Sequence, residues 1–342
     1  MRTGAKIGLS LALCLAALLL AVGVGSVAIS PLEALQIMGH KLFGLRLPES
    51  ITASSVSILW TIRLPRVLLA FCVGAMLSVS GTVMQSVLRN PLASSYTLGV
   101  SSGASLGAAA VILTGWSLPL LGAFTLPAAG LTAGMLAVLA AVTFASRVDR
   151  SMRNNTIILA GMVFSLFINA VLTLLYSMSR EHSQQLLQWQ MGSFALKGWK
   201  EVTLLFPIGV VGILALMRFG RELDILTFGE EDASAMGVDT RRVKWALLGL
   251  AAALTGSAVA FAGVIGFIDL IAPHVVRRLF GTRHQLTLPM SALFGGGFMA
   301  LCDMAARTVI APVELPVGAV TAIIGAPFFA YVYFRRRREG QA

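Results

Sequence analysis

Apolar stretches of membrane-crossing length follow one another along the whole chain, separated by short polar connections. A spanning helix needs about 20 mostly apolar residues. Ten segments approach or meet that requirement: residues 7–28, 65–87, 98–113, 121–144, 156–177, 202–217, 243–264, 267–279, 286–307 and 316–334. The eighth is too short to span alone, and Pro273 interrupts it. Such a broken helix survives at membrane depth only where protein or a water-filled cavity covers the freed backbone. The fold class that follows is all-α integral membrane, with about ten transmembrane helices in one domain over residues 1–342.

The composition closes off the alternatives. Apolar residues make up 57% of the chain and charged residues 12%. Soluble domains average about 45–50% and about 25%. The two longest polar segments, near 178–200 and 218–244, hold a loop with a short helix at most. A formal charge of +11 would point to nucleic acid in a soluble protein. Here the basic residues lie between apolar spans, so they report orientation and anionic headgroups, and no nucleic-acid partner is implied.

Residues 7–28 resemble a signal peptide in part, with Arg2 and Lys6 before the run and Ser26-Val27-Ala28 after it. The run exceeds the usual apolar core of about 7–15 residues, so it is read as a retained helix. Ten spans place both termini on one side. Setting that side inside gives its loops 18 Lys and Arg, including Arg150 and Arg335–Arg338, and leaves 8 outside, including Arg180. The bias puts both termini in the cytoplasm. Arg63-Leu-Pro-Arg66 opens one four-span block and Arg241-Arg242-Val-Lys244 opens another five spans later. An odd offset inverts the second block, and inverted repeats are a frequent transporter plan.

Within the spans, Gly99, Gly103 and Gly107 recur every four residues, as do Gly130 and Gly134. That spacing lets neighbouring backbones approach, which is ordinary bundle packing. Ser165, Asn169, Thr173 and Tyr176 form a polar stripe on an otherwise apolar helix. It should face protein or water, as a pathway lining or as interhelical hydrogen bonding. Asp303 and Arg307 have the spacing of an i,i+4 ion pair. Asp269 is an acid beside the short eighth span, with no evident partner. His40, His182, His274 and His284 share no metal-ligand spacing, and Cys14, Cys72 and Cys302 form no CxxC pair. No phosphate-binding P-loop or hydrolase motif occurs. After the sixth span, Glu230, Glu231 and Asp232 follow Gly229, suiting a helix N-terminus, and Gly237 suits its end. A two-turn helix with Ala and Met on its surface is expected there, either a plain loop helix or a docking knob.

Several blocks then carry a resemblance. Arg63-Leu-Pro-Arg66, Ser80-Gly81, Arg89-Asn-Pro-Leu-Ala93, Leu98-Gly-Val-Ser-Ser-Gly103 and Gln188-Trp-Gln-Met-Gly-Ser193 are among them. So are Gly229-Glu-Glu-Asp-Ala, Gly263-Val-Ile-Gly-Phe267, Glu314-Leu-Pro-Val-Gly318 and Gly325-Ala-Pro327. Together, over about residues 60–330, they resemble the FecCD family of ABC-importer permeases, which serve iron-siderophores, haem and vitamin B12. The resemblance implies a transport subunit rather than an enzyme. It implies a dimer of permease copies, or of close homologues, on two ABC ATPase subunits. ATP and Mg would then sit on the partner, with no cofactor in this chain. A periplasmic or lipoprotein binding protein would deliver the substrate at a bacterial cytoplasmic membrane.

The same resemblance implies roles position by position. Arg63, Arg66 and Arg307 match arginines that meet the binding protein. Asn90, Leu92 and Asn154 match positions near the inner gate. Glu230, Glu231, Asp232, Ala233, Ser234, Met236 and Gly237, within about 229–238, match the helix that couples to the ATPase. Ser165, Asn169, Thr173 and Tyr176 match the helix lining the pathway at the dimer interface. Asp269 departs from the pattern, which has a small residue there. Iron(III)-siderophore is the favoured substrate, then haem, then cobalamin. An ion-gradient carrier using Asp269 or Asp303 is the rival, and a channel or structural scaffold a third reading.

Overall fold

The computed structural model describes residues 3–25, 27–149, 151–178 and 180–339, with side chains for all of these except 180 and 332–339. Arg2, Ser26 and Arg150, and the side chains of Arg180 and Arg335–Arg338, therefore lie outside the described residues. Among those described, the chain is helical with no strand. The helices are α1 (Thr3–Gly23), α2 (Pro31–Phe43), α3 (Ala53–Ser57), α4 (Leu64–Val87) and α5 (Val100–Thr114). Then come α6 (Thr125–Val148), α7 (Asn154–Met178), α8 (Ser183–Gln190), α9 (Trp199–Arg218) and α10 (Gly220–Leu226). The last are α11 (Glu230–Ala235), α12 (Thr240–Ala262), α13 (Ile268–Phe280), α14 (His284–Thr308) and α15 (Val317–Glu339).

All ten apolar segments are helical. Among the described residues, seven helices are long and apolar enough to cross a membrane. The segments at 98–113 and 316–334 form shorter apolar helices, α5 and the apolar part of α15. The eighth segment becomes α13, which carries both Asp269 and Pro273.

The bundle is built around α4, the most deeply buried of the long helices. A π-turn, Ile58–Arg63, joins it to α3. Helices α14, α12, α13 and α9 surround it. Lipid offers little hydrophobic drive between helices, so close packing and small residues hold them. A Cβ placed on Gly81 would stand 2.0 Å from the Asp269 carbonyl oxygen, and one on Gly74 2.3 Å from that of Gly295. Because α4 meets protein rather than lipid, it carries polar groups in its core. Ser80 Oγ donates to Ala251 O at 3.1 Å, and Thr82 Oγ1 to Ser291 Oγ at 3.0 Å.

Helices α5 and α6 form the second close pair. Cβ atoms on Gly103 and Gly107 would lie 2.6 and 2.2 Å from the carbonyls of Ala133 and Ala129. Gly99 does not share that face. It sits before α5 at φ +92°, against Ser165 of α7. The helix starts one residue later than the glycine spacing implied.

The α5 lead-in and the stretch before α13 are both irregular, and they cover each other. Tyr96 donates its hydroxyl to Ile265 O at 2.7 Å, Ser94 donates to the Asp269 carboxylate, and Gln85 Nε2 donates to Asp269 O at 3.2 Å. Nonhelical backbone is thereby enclosed by protein, as its depth requires. Helix α12 runs opposite to α4. It starts beside Glu230, and Ala262 at its far end accepts from Ser193 N at 2.8 Å, in the loop leading to Trp199. Trp199 in turn donates to Trp60 O at 2.8 Å, just before α4.

Candidate functional site

The three sequence-predicted arginines gather where α4 begins, but their guanidiniums turn inward. Arg63 donates to the carbonyls of Gly23 at 2.7 Å, Val22 at 3.3 Å and Val27 at 2.5 Å. Arg307 donates to Ala21 O. Helix C-termini leave unpaired carbonyls and a partial negative charge. Two arginines thus cap the end of α1. Arg66 is gripped on both sides: Nε and Nη2 reach Asp303 at 2.9–3.1 Å, and Nη1 and Nη2 reach Glu314 at 2.9 and 3.0 Å. The i,i+4 pair expected between Asp303 and Arg307 forms at 3.6 Å, but Arg66 is the nearer partner. Glu314 belongs to the Glu314-Leu-Pro-Val-Gly318 block. A lone carboxylate in a loop carries no signal of a cation 248 residues away.

On α7 the polar stripe divides. Ser165 Oγ is buried against Gly99 and has no hydrogen-bond partner among the described residues. Tyr176 accepts from Gln190 Nε2 at 2.6 Å, on α8. Asn169 and Thr173 are exposed, with Thr173 Oγ1 bonded to Asn169 O at 2.8 Å. Leu166, Phe167 and Leu174 are exposed beside them, while Ile168 and Leu172 pack inward.

At the opposite end, α11 spans six residues between Gly229 at φ +133° and Gly237 at φ +85°. Only glycine adopts these backbone angles without strain, so the sequence reading of the helix ends is sound. Glu231, Asp232, Ser234 and Met236 are exposed, as is Phe228 before them. The sequence places Ala233 on the surface of this helix, but it is fully buried, because a helix this short must fix one side to the body. A Cβ on Gly229 would lie 3.5 Å from Arg89 Nη1. Asn90 closes its own turn, its Oδ1 accepting from Leu92 N at 2.9 Å, and Leu92 is half exposed.

Lys244, at the start of α12, is 1% exposed. Its ammonium donates to Glu230 Oε1 at 2.5 Å, Asn154 Oδ1 at 2.8 Å and Met152 O at 3.0 Å. Asp149 fixes the turn before α7, accepting from Ser151 Oγ at 2.5 Å and Arg153 Nε at 2.8 Å. Those hydrogen bonds from Ser151 and Arg153 hold its carboxyl well below the usual carboxylate range. A second buried chain runs from α10 to α4. Asp224 Oδ1 lies 2.6 Å from His284 Nδ1, His284 Nε2 lies 2.6 Å from Ser86 Oγ, and Arg277 Nη2 donates to Ser86 at 3.1 Å. So His284 is a structural bridge. No cluster suited to a metal ion occurs among the described residues.

An all-helical bundle of this kind, with an acidic helix projecting from one end, is the shape of a multi-pass permease, and residues 13–335 match the FecCD transport family. The chain belongs to that family of ABC-transporter permeases. A cobalamin import system permease of Halobacterium salinarum is 40% identical over 285 residues, covering 83% of this chain and 75% of its own. A hemin transport system permease of Yersinia pestis is 39% identical over 283 residues, covering 81% and 83%. A structure described as an inward-facing conformation of a metal-chelate type ABC transporter superposes with a TM-score of 0.84 at 30% identity, covering 97% of this chain and 99% of its own.

Proposed function

We propose that the chain forms half of the membrane pathway of an ATP-driven importer. Two copies, or this chain and a close homologue, would meet along α7 in a bacterial cytoplasmic membrane, with both termini inside. The substrate is a metal chelate of the iron(III)-siderophore, haem or cobalamin kind, handed over by a binding protein. Relatives named for cobalamin and for hemin are almost equally similar, so identity favours neither. Asn169 and Thr173, bare in the single chain, suit a wide and weakly polar wall.

The observation that carries this reading is α11: a six-residue helix with an acidic first turn and exposed Phe228 and Met236, fixed to the body through Ala233. It fits a knob seated in a partner ATPase that binds ATP and Mg. As the two ATPases close and part, α11 follows, and inner and outer constrictions open in turn. Arg63, Arg66 and Arg307 mark the docking end, where they brace the surface from beneath, and Glu314, whose side chain is 41% exposed, is the member of the cluster that a binding protein would meet. Removing residues 230–236 should abolish copurification of the ATPase from mild detergent. Undiminished copurification rejects the assignment.

The ion-coupled alternative retains one residue. Asp303 is neutralised by Arg66 and Arg307, whereas Asp269 is buried with Oδ1 unpartnered among the described residues. Transport by the chain alone in proteoliposomes without ATP, abolished by Asp269→Asn, would favour that alternative.

A further inference from the structure

We infer that Lys244 is the positioning residue that links the ATPase-facing helix α11 to the gate end of α7. The inference rests on the importer reading above but assigns a role to a residue which that reading does not use. An ammonium has three donors and no acceptor. All three are placed, and each goes to a different segment of the chain: the Glu230 carboxylate at the start of α11, the Asn154 side-chain oxygen at the start of α7, and the Met152 carbonyl in the turn between α6 and α7. Met152 holds φ +51°, a backbone conformation uncommon for a side chain of its size. The strained turn presents its carbonyl to the ammonium.

Nothing else among the described residues bonds α11 to α7. Helix α11 is joined in sequence to α10 and α12, and Arg89 lies near Gly229 without a hydrogen bond to it. Glu230 and Asn154 therefore communicate through one buried nitrogen. Displacing Glu230 with α11 pulls on the ammonium, and the ammonium pulls on the first residue of α7. Lysine suits the task because its charge is a compact point on a flexible stem. A planar guanidinium would impose a rigid fork in place of three freely rotating donors.

The test reads gate movement rather than transport, so it needs no knowledge of the substrate. Asn155 is exposed next to Asn154, and the three native cysteines are buried. Asn155→Cys is introduced, the chain is purified with its copurifying ATPase, and the rate of modification by a charged maleimide is measured with and without Mg-ATP and vanadate. In the otherwise unaltered complex the two rates should differ roughly fivefold or more, the lower end of measured couplings between sites. Adding Lys244→Met should bring the ratio to about one while the ATPase still copurifies, and Lys244→Arg should restore part of it.

Asn154→Ala cuts only the α7 side of the link and should also bring the ratio to about one, which keeps the test decisive if Lys244→Met fails to fold. A ratio unchanged in either variant overturns the linkage. Absence of any ATPase from the parent preparation instead overturns the importer reading, so the two failures are distinct.

Discussion

Arg66 and Lys244 occupy corresponding places in oppositely directed helices, and they are held differently. Arg63 and Arg66 recur as Arg241 and Lys244, each 178 residues later. Both Arg66 and Lys244 are buried near the start of a long helix, one at each end of the bundle. Arg66 is clamped by two carboxylates through a planar fork. Lys244 has one carboxylate and two neutral oxygens. Bidentate pairs carry geometric specificity as well as energy, whereas a point charge tolerates rearrangement. The arginine end is built to keep its shape, and the lysine end to pass displacement on.

The largest expected effect comes from breaking the arginine side. Arg66→Met leaves Asp303, which has no exposure, with only the longer 3.6 Å contact to Arg307, and should cost about 3 kcal/mol or somewhat more, seen as a lower thermal midpoint in detergent. Adding Asp303→Asn should recover part of that loss, because the stranded charge is the main penalty. Lys244→Met should cost less, about 1–3 kcal/mol, since Glu230 is 30% exposed and can be rehydrated. A larger loss for Lys244→Met than for Arg66→Met would break the comparison.

The smallest effect is a pH control on the turn beside Lys244. The Asp149 carboxyl is held below its ordinary value, so its folded value lies beneath its unfolded one. Its stabilisation is complete above about pH 5 and is lost progressively as pH falls past the unfolded value towards the lower folded one. The midpoint difference between the parent and Asp149→Asn should therefore be the same at pH 7 and pH 5. A difference that shrinks by pH 5 would contradict the assignment.

The spans were legible because lipid imposes length and apolarity on each helix independently, and all ten segments are helical. The ends of α11 were legible for a local reason, the paired glycines at 229 and 237. What the sequence hides is long-range. The partners of Arg66 lie 237 and 248 residues away, and Lys244 meets Asn154 across 90. No periodicity registers such distances. Lys244 did carry one faint signal, its place in the repeated basic block, but the weakness of that identity gave no reason to expect burial. Asn169, Thr173 and Tyr176 show a converse limit. Helical spacing of four and three put them on one stripe, yet α8 takes up Tyr176 and leaves the others bare.

Counted as charge, the arginine cluster has a consequence for encounter rates. The cluster holds three guanidiniums and two carboxylates, Arg66 and Arg307 meeting Asp303 and Glu314 while Arg63 meets only backbone carbonyls, which leaves one net positive charge. Physiological salt screens exposed charges beyond about 8 Å. Under the importer reading, an acidic binding protein approaching through water would gain little long-range steering from this cluster. The cluster itself should then add little to the salt dependence of that association, and its contribution to recognition would be contact and shape.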